Sequence, residues 1–329
     1  MSSCVYLIGE YKNRCLLHND AKSICCTCKD KLPPDDSQLA AKFRDPLAVV
    51  RGSTRAPASD CLRGMLGGAA VFYVCGGPSA NDLPLEELNG KGIWSMAVNN
   101  AAAHPRFRPQ AFVCADPPRK FSHSIWMDPM IMKFVPIPKL AGRRAKLRRK
   151  EGGEFLPLDR DTSTAPNVWG FQRNPWLWPD DRFFASDGAC WGNHDSGCRK
   201  TGQPKTVCTM LLGLRLLRFL GASRVYLVGV DFRMMPERGY SFEQGRDAGA
   251  CQSNNAQYVV VNQWLCQLES SGVFRRFGLN VFNCYERSGL RAFPYVPFAD
   301  ALKDCRGVVE KAPDLAGWYD PEEKISKIR

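Results

Sequence analysis

Five apolar runs in this chain end in residues able to hold a ligand or move a proton. "VFYVCGGPSAND", Val71–Asp82, breaks from an apolar run into Gly76, Gly77, Pro78 and Ser79. "MAVNN" ends in Asn99 and Asn100, "AFVCAD" in Asp116, "YLVGVD" in Asp231 and "NVFNC" in Asn283 and Cys284. Paired glycines let the backbone approach an anion closely. Ser79 can donate a hydroxyl hydrogen bond or cap a following helix. Asn, Asp and Ser also favour strand ends as turn and capping residues, so any one of these ends is ordinary. Five together point to one shared rim. The loop is not a Walker loop, because G-x-x-x-x-G-K-[ST] is absent, and the third glycine of a dinucleotide fingerprint is missing. The second run ends in Asn99 rather than the acid that reads a ribose in dinucleotide enzymes. These features count against a nicotinamide dehydrogenase and fit a nucleotide or a nucleotide-sugar.

Other residues carry chemistry with a bland alternative beside each. Asp116, Asp231 and His194 (in "WGNHDSG") are candidates for a general base. Asp231 can equally be a strand-end cap, and His194 an exposed loop residue. "LDRD", Asp159 to Asp161, has the D-x-D form of metal-dependent glycosyltransferases, a short match in a charged segment. Cys25 and Cys28 form a C-x-x-C with Cys4, Cys15 and His18 upstream. Such a pair supplies half of a structural zinc site, and no second C-x-x-C completes it. Thr206, Thr209 and Gly213 fall at i, i+3 and i+7 of a helical pattern. They make a face of small residues that something can approach closely. Trp169, Trp176, Trp178 and Trp191 are available for stacking on a base or for packing a lid.

The elements that must position these residues follow from periodicity. From Gly68 onward, buried strands alternate with helical pieces, which implies an α/β domain with a parallel sheet flanked by helices. "LPLEELNGKG" reads as a short helix closed by Gly90. "TVCTMLLGLRLLRFLGA" reads as a buried helix closed by Gly221, with Arg215 and Arg218 on its wetter side. A further helix is expected near Asn262–Ser270, followed by the strand "LNVFNC". Residues 1–68 read as a cysteine-containing extension, 69–305 as the catalytic domain and 306–329 as a tail. About 118–203 lacks clear periodicity and reads as a lid or acceptor-side insertion.

Composition bounds the class. The chain has 329 residues, and no run of eighteen apolar ones, so no membrane span is expected. The opening "MSSCVYLIGEYKNR" lacks a basic leader and long apolar core, and the fifteen cysteines are scattered through apolar patterns. Both features fit buried thiols in a reducing cytoplasm. The net charge of +12 suggests an anionic partner. The densest basic run, "KLAGRRAKLRRK", has seven Lys or Arg in twelve residues, including Arg143, Arg144, Lys146, Arg148, Arg149 and Lys150. It reads as a solvated loop or as an arm contacting DNA or RNA phosphates.

Several segments together carry a family resemblance. "VFYVCGGPSAND" resembles the nucleotide loop of the bacterial lipooligosaccharide sialyltransferases and is similar to that of the archaeal MptE-like 6-hydroxymethylpterin diphosphokinases. "MAVNNA" matches their second-strand Asn. "LGASRVYLVGVDFRMMPERGYSFEQ" resembles the sialyltransferase segment of strand, G-[IV]-D-F and a later Tyr. "NVFNCYERSGLRAFPYVPF" resembles their closing strand, Ser-Leu and Phe-Pro segment. Phage-encoded proteins of unassigned activity share the pattern. The resemblance spans roughly 69 to 305 and implies a Rossmann-like, single-domain glycosyltransferase fold that needs no metal. By it, Gly77, Ser79 and Asn99 would contact the nucleotide, which would sit over Gly76, Gly77, Pro78 and Ser79, and Asp116 would stand where those enzymes have a nucleotide-contacting polar residue. Thr206 or Thr209 would replace a helix-start serine, and Tyr240 would stabilise the leaving phosphate. The sialyltransferases place a catalytic His after that Tyr, whereas Gln252 aligns with it here, and glutamine is no general base.

The expectation is therefore a nucleotide-sugar-dependent glycosyltransferase whose acceptor is a hydroxymethylated base in phage DNA, flipped out or otherwise exposed. The rival enzyme reading is an MptE-like diphosphokinase using ATP and Mg2+ held by Asp116 and Asp231. A non-catalytic nucleotide- or nucleic-acid-binding protein is the third.

Overall fold

The computed structural model describes residues 47–51, 54–57, 62–90, 92–116, 118–136, 144–148, 155–161, 165, 167–171, 182–185, 208–242, 244 and 247–306. In the strands at 47–57, 144–148 and 155–161 the description is of the backbone alone. Strands β1 (Leu47–Arg51) and β2 (Thr54–Pro57) form a hairpin. Then come β3 (Ala70–Val74), β4 (Ser95–Val98) and β5 (Ala111–Val113), helix α1 (His123–Met127) and β6 (Met132–Pro136). A second hairpin, β7 (Arg144–Arg148) and β8 (Phe155–Asp161), precedes β9 (Val168–Phe171) and α2 (Arg182–Ala185). Helix α3 (Thr209–Phe219), β10 (Arg224–Val228), α4 (Ala248–Ser270), α5 (Val273–Arg276), β11 (Asn280–Asn283) and α6 (Phe298–Cys305) complete the order.

Nine strands make the main sheet, in the order β11-β10-β3-β4-β5-β6-β9-β1-β2. From β11 to β9 all neighbours are parallel, and the antiparallel β1–β2 hairpin closes the β9 edge. The Rossmann-like α/β expectation is met. The strands are apolar without alternation because both faces are covered. Val71 and Tyr73 of β3 face one core with Met96, Val98, Val225, Leu227 and the buried sides of α3 and α4. Ala70, Phe72 and Val74 face the other, with Ala97, Phe112, Tyr226, Trp126 and Phe298. This period-two division is what a strand between two helical layers requires.

Several local expectations are corrected. The aperiodic stretch after 118 supplies β6 and β9 to the central sheet, so it is not only a lid. Its strands are short and bury polar groups such as Lys133, whose Nζ donates to the main-chain oxygens of Asp128 and Ile131 (2.5 and 2.9 Å). The first crossovers are 3₁₀ turns, at Pro78–Asp82, Leu85–Asn89 and Asn99–Ala103. Gly90 closes the second of these in an extended conformation, with φ −65°. Gly221 does close α3 with a left-handed φ of +90°. Arg215 is not on a wet side: it is buried, and its guanidinium lies 5.5 Å above the Phe183 ring. Helix α4 starts fourteen residues earlier than Asn262, at Ala248. Its first turns bury only Cys251, so they show little apolar periodicity, and Asp247 caps them by accepting from Ala250 N at 2.7 Å. Among the described residues no helix is long and apolar enough to cross a membrane.

Candidate functional site

From β3 the chain steps outward through β4, β5, β6 and β9, then returns through α3 to place β10 on the other side of β3. The strand order thus reverses between β3 and β10. Ligands of open α/β sheets bind in the crevice beyond the carboxyl ends of strands at such a reversal.

The two loops leaving that point are interlocked. Cys75 N donates to Val228 O (2.7 Å) and Gly77 N to Gly229 O (2.8 Å). A Cβ on Gly77 would stand 2.0 Å from Asp231 Oδ2 and 2.5 Å from Gly229 O, so only glycine fits. Gly229 itself has φ +65°. Pro78 and Ser79 are buried in the first 3₁₀ turn. Ser79 donates through its N–H to both oxygens of Asp231 (3.2 and 3.3 Å) and through Oγ to Oδ2 (2.7 Å). Burial pushes the Asp231 carboxyl above its usual range, opposed by the Ser79 hydrogen bonds and by Arg238, and aided by Asp82. The next residue, Phe232, has φ +52°, a strained value for a bulky side chain, and stacks on Tyr258 with centroids 5.0 Å apart.

Two further segments complete the rim. Gly289 N donates to Asp231 O (2.8 Å), and the buried Ser288 hydroxyl donates to Val230 O (2.5 Å) while accepting from Leu290 N (3.0 Å). Tyr240 and Phe242 stack on one another, centroids 5.0 Å apart, and a Cβ on Gly76 would meet both rings at 3.1–3.2 Å. Arg238 pins this aromatic loop to the first 3₁₀ turn by pairing with Asp82 at 3.0 Å.

Beyond β4 the two asparagines divide the work. Asn100 donates to Lys120 O and Gln244 Oε1 (both 3.1 Å) and accepts from Ser122 N (3.0 Å), tying three loops together. Asn99 is left-handed, φ +54°, and its Oδ1 is buried with no hydrogen-bond partner among the described residues. Buried acceptors without donors are rare. Asp116, beyond β5, is partly exposed and paired with Lys120 at 3.1 Å.

Other expected residues sit elsewhere. The close approach to the small-residue face of α3 is made by the protein's own Tyr73, whose hydroxyl donates to Thr209 O at 3.1 Å over Gly213. Trp169 is a core residue of β9, its Nε1 bonded to Asn167 Oδ1 at 2.7 Å, and offers no stacking surface. Gln252 is exposed on the first turn of α4, in an open groove of about 580 Å³ lined by Met234, Met235, Asn255 and Val259. Arg144, Lys146 and Arg148 occupy alternate positions of β7. Cys25, Cys28, Arg143, Arg149, Lys150, His194 and Thr206 lie outside the described residues. Among the described residues no group of three His, Cys, Asp or Glu is placed to hold a metal ion. Burial raises the Cys75 and Cys208 thiols near the crevice, which leaves them protonated and weakly nucleophilic.

Gly229, Ser288 and Phe242 were not anticipated as parts of this rim, whereas Asn100 was. Gly229, a glycine inside an otherwise apolar strand end, carried the only local signal. The chain matches no family model, no curated protein and no solved structure.

Proposed function

We propose that this protein is a nucleotide-sugar-dependent glycosyltransferase with its donor in the crevice between β3 and β10. One observation carries the reading. The segments resembling the sialyltransferases, at Gly76–Ser79, Gly229–Phe232, Tyr240 and Ser288–Leu290, lie far apart in sequence and converge on the rim of one crevice, with Asn99 at the end of the adjoining strand β4. Tyr240, over Gly76, would steady the leaving phosphate, and a hydroxyl of the acceptor would attack the anomeric carbon. Gln252 cannot take the proton. Asp231 is engaged by Ser79, which leaves the partly exposed Asp116 as the better-situated carboxylate for a general base. The net charge of +12 favours a polyanionic acceptor, and a hydroxymethylated base in DNA meets that requirement.

Thermal-shift screening against UDP, CMP, GDP and ATP, with and without magnesium, tests the donor. Mass spectrometry of hydroxymethylated DNA after incubation with sugar nucleotides tests the acceptor. Magnesium-dependent binding of ATP without response to any sugar nucleotide would favour the diphosphokinase instead.

A further inference from the structure

The glycine loop has little left to offer a phosphate. Its Gly77 and Ser79 N–H groups are already donated to Gly229 O and Asp231, Pro78 has none, and the Ser79 hydroxyl is donated to Asp231 Oδ2 at 2.7 Å. The Asp231 carboxylate lies so close over the loop that a Cβ on Gly77 would overlap it. It fills the position that an anion would take in a phosphate cradle. A second anion there meets a negative charge and finds these donors spent.

What the crevice does offer is acceptors. An ionised carboxylate has about four lone-pair sites, and Ser79 does not use them all. Asp231 is only half-buried, so a ligand can reach the remainder. On the other side of β3, Asn99 Oδ1 has no donor among the described residues, but it is buried, and a ligand would reach it only if the side chain turned. The unused Asp231 sites call for a ligand surface that brings hydrogens, and phosphate oxygens bring none.

We propose that the nucleoside of the bound nucleotide, not its phosphate, lies against the glycine loop, with ribose hydroxyls donating to Asp231. This deepens the nucleotide-site reading above and rests on it. Asp231 is then a binding residue with two roles: it locks Ser79 and it reads the sugar.

The test uses the full chain and calorimetric titration with inorganic pyrophosphate, the four common ribonucleosides, their 2′,3′-dideoxy counterparts and the nucleoside diphosphates. One ribonucleoside should compete with its own diphosphate, pyrophosphate alone should not bind, and removing both ribose hydroxyls should weaken binding roughly tenfold or more. Asp231→Asn should weaken the ribonucleoside by a similar factor and abolish the difference between the ribo and dideoxy forms. The dideoxy comparison needs no variant, so it decides the matter even if Asp231→Asn fails to fold. Diphosphates that bind equally well without ribose hydroxyls would overturn this inference and leave the nucleotide site standing. So would pyrophosphate that binds alone and tightens in Asp231→Asn. Failure of every nucleoside and nucleotide to bind would overturn both.

Discussion

The phenolic oxygen of Tyr73, on the central strand, stands 1.8 Å from where a Cβ on Gly213 of α3 would lie. Helix and sheet meet there without room for one methyl group. The ring is fully buried and its hydroxyl is bonded to Thr209 O, so it has no easy place to move. Gly213→Ala should therefore destabilise the fold by about 1–3 kcal/mol despite alanine's better helix propensity. Urea denaturation of the purified variant checks this. Unchanged or increased stability would contradict the close approach.

His104 should make stability depend on pH. Its Nδ1 accepts from Arg106 N at 3.2 Å, so the neutral ring donates from Nε2 to Asn81 Oδ1 at 3.0 Å. Burial, followed by the Arg106 charge, holds the imidazole below its ordinary 6.5. The folded state thus binds fewer protons than the unfolded state between the folded value and 6.5. The contribution is fully present above 6.5 and falls as pH drops through that window. His104→Gln should cost about 1 kcal/mol at pH 8, and the difference from wild type should shrink towards pH 5. A pH-independent difference would rule this out.

Asp231 should act with the opposite slope. Its carboxyl is raised by burial, with Ser79 and Arg238 opposing and Asp82 assisting. The folded state therefore binds more protons than the unfolded one over the window above the ordinary carboxylate value. The cost of keeping it charged is fully present above the folded value and disappears below the unfolded one. Wild type should gain stability relative to Asp231→Asn as pH falls from 7 towards 4. Denaturation curves of the two proteins at matched pH values cancel the other titrating groups and isolate this one.

If the acceptor is DNA, binding must release counterions. Affinity should fall linearly on a log–log plot against salt. Replacing Arg144, Lys146 and Arg148 of β7 with alanine should flatten the slope by about 0.9 for each phosphate that is no longer neutralised. An unchanged slope would remove this strand from the DNA-binding surface.

Much of this was legible in the sequence, and the reasons differ by residue. The strands at Ala70, Ser95, Ala111 and Arg224 were visible because parallel strands covered on both faces are apolar throughout and end in Gly, Asn or Asp. The pairing of Ser79 with Asp231 was not visible, because a residue that caps and a residue that catalyses are the same type at the same strand end. The small-residue face of α3 announced a close neighbour but not its identity, since Tyr73 lies 136 positions away from Thr209. The early turns of α4 were hidden because a helix half in solvent needs little apolar periodicity once Asp247 starts it. β9 was obscured because its tryptophan, open to stacking on a base or packing a lid, instead serves as core of the sheet.

Ser79 and Asp231 are separated by 152 residues, and β3 receives β10 as its neighbour only after β4, β5, β6 and β9 have been made. Synthesis at 5–20 residues per second puts about 8 to 30 s between the emergence of the two loops. During that interval one side of the central strand has no partner, and the crevice does not exist. A nascent or truncated chain ending before β10 would expose the edge of β3, an apolar strand inviting wrong pairing. A ligand that binds this crevice would therefore stabilise the chain only after β10 has paired with β3, and could not protect the open edge of β3 before then.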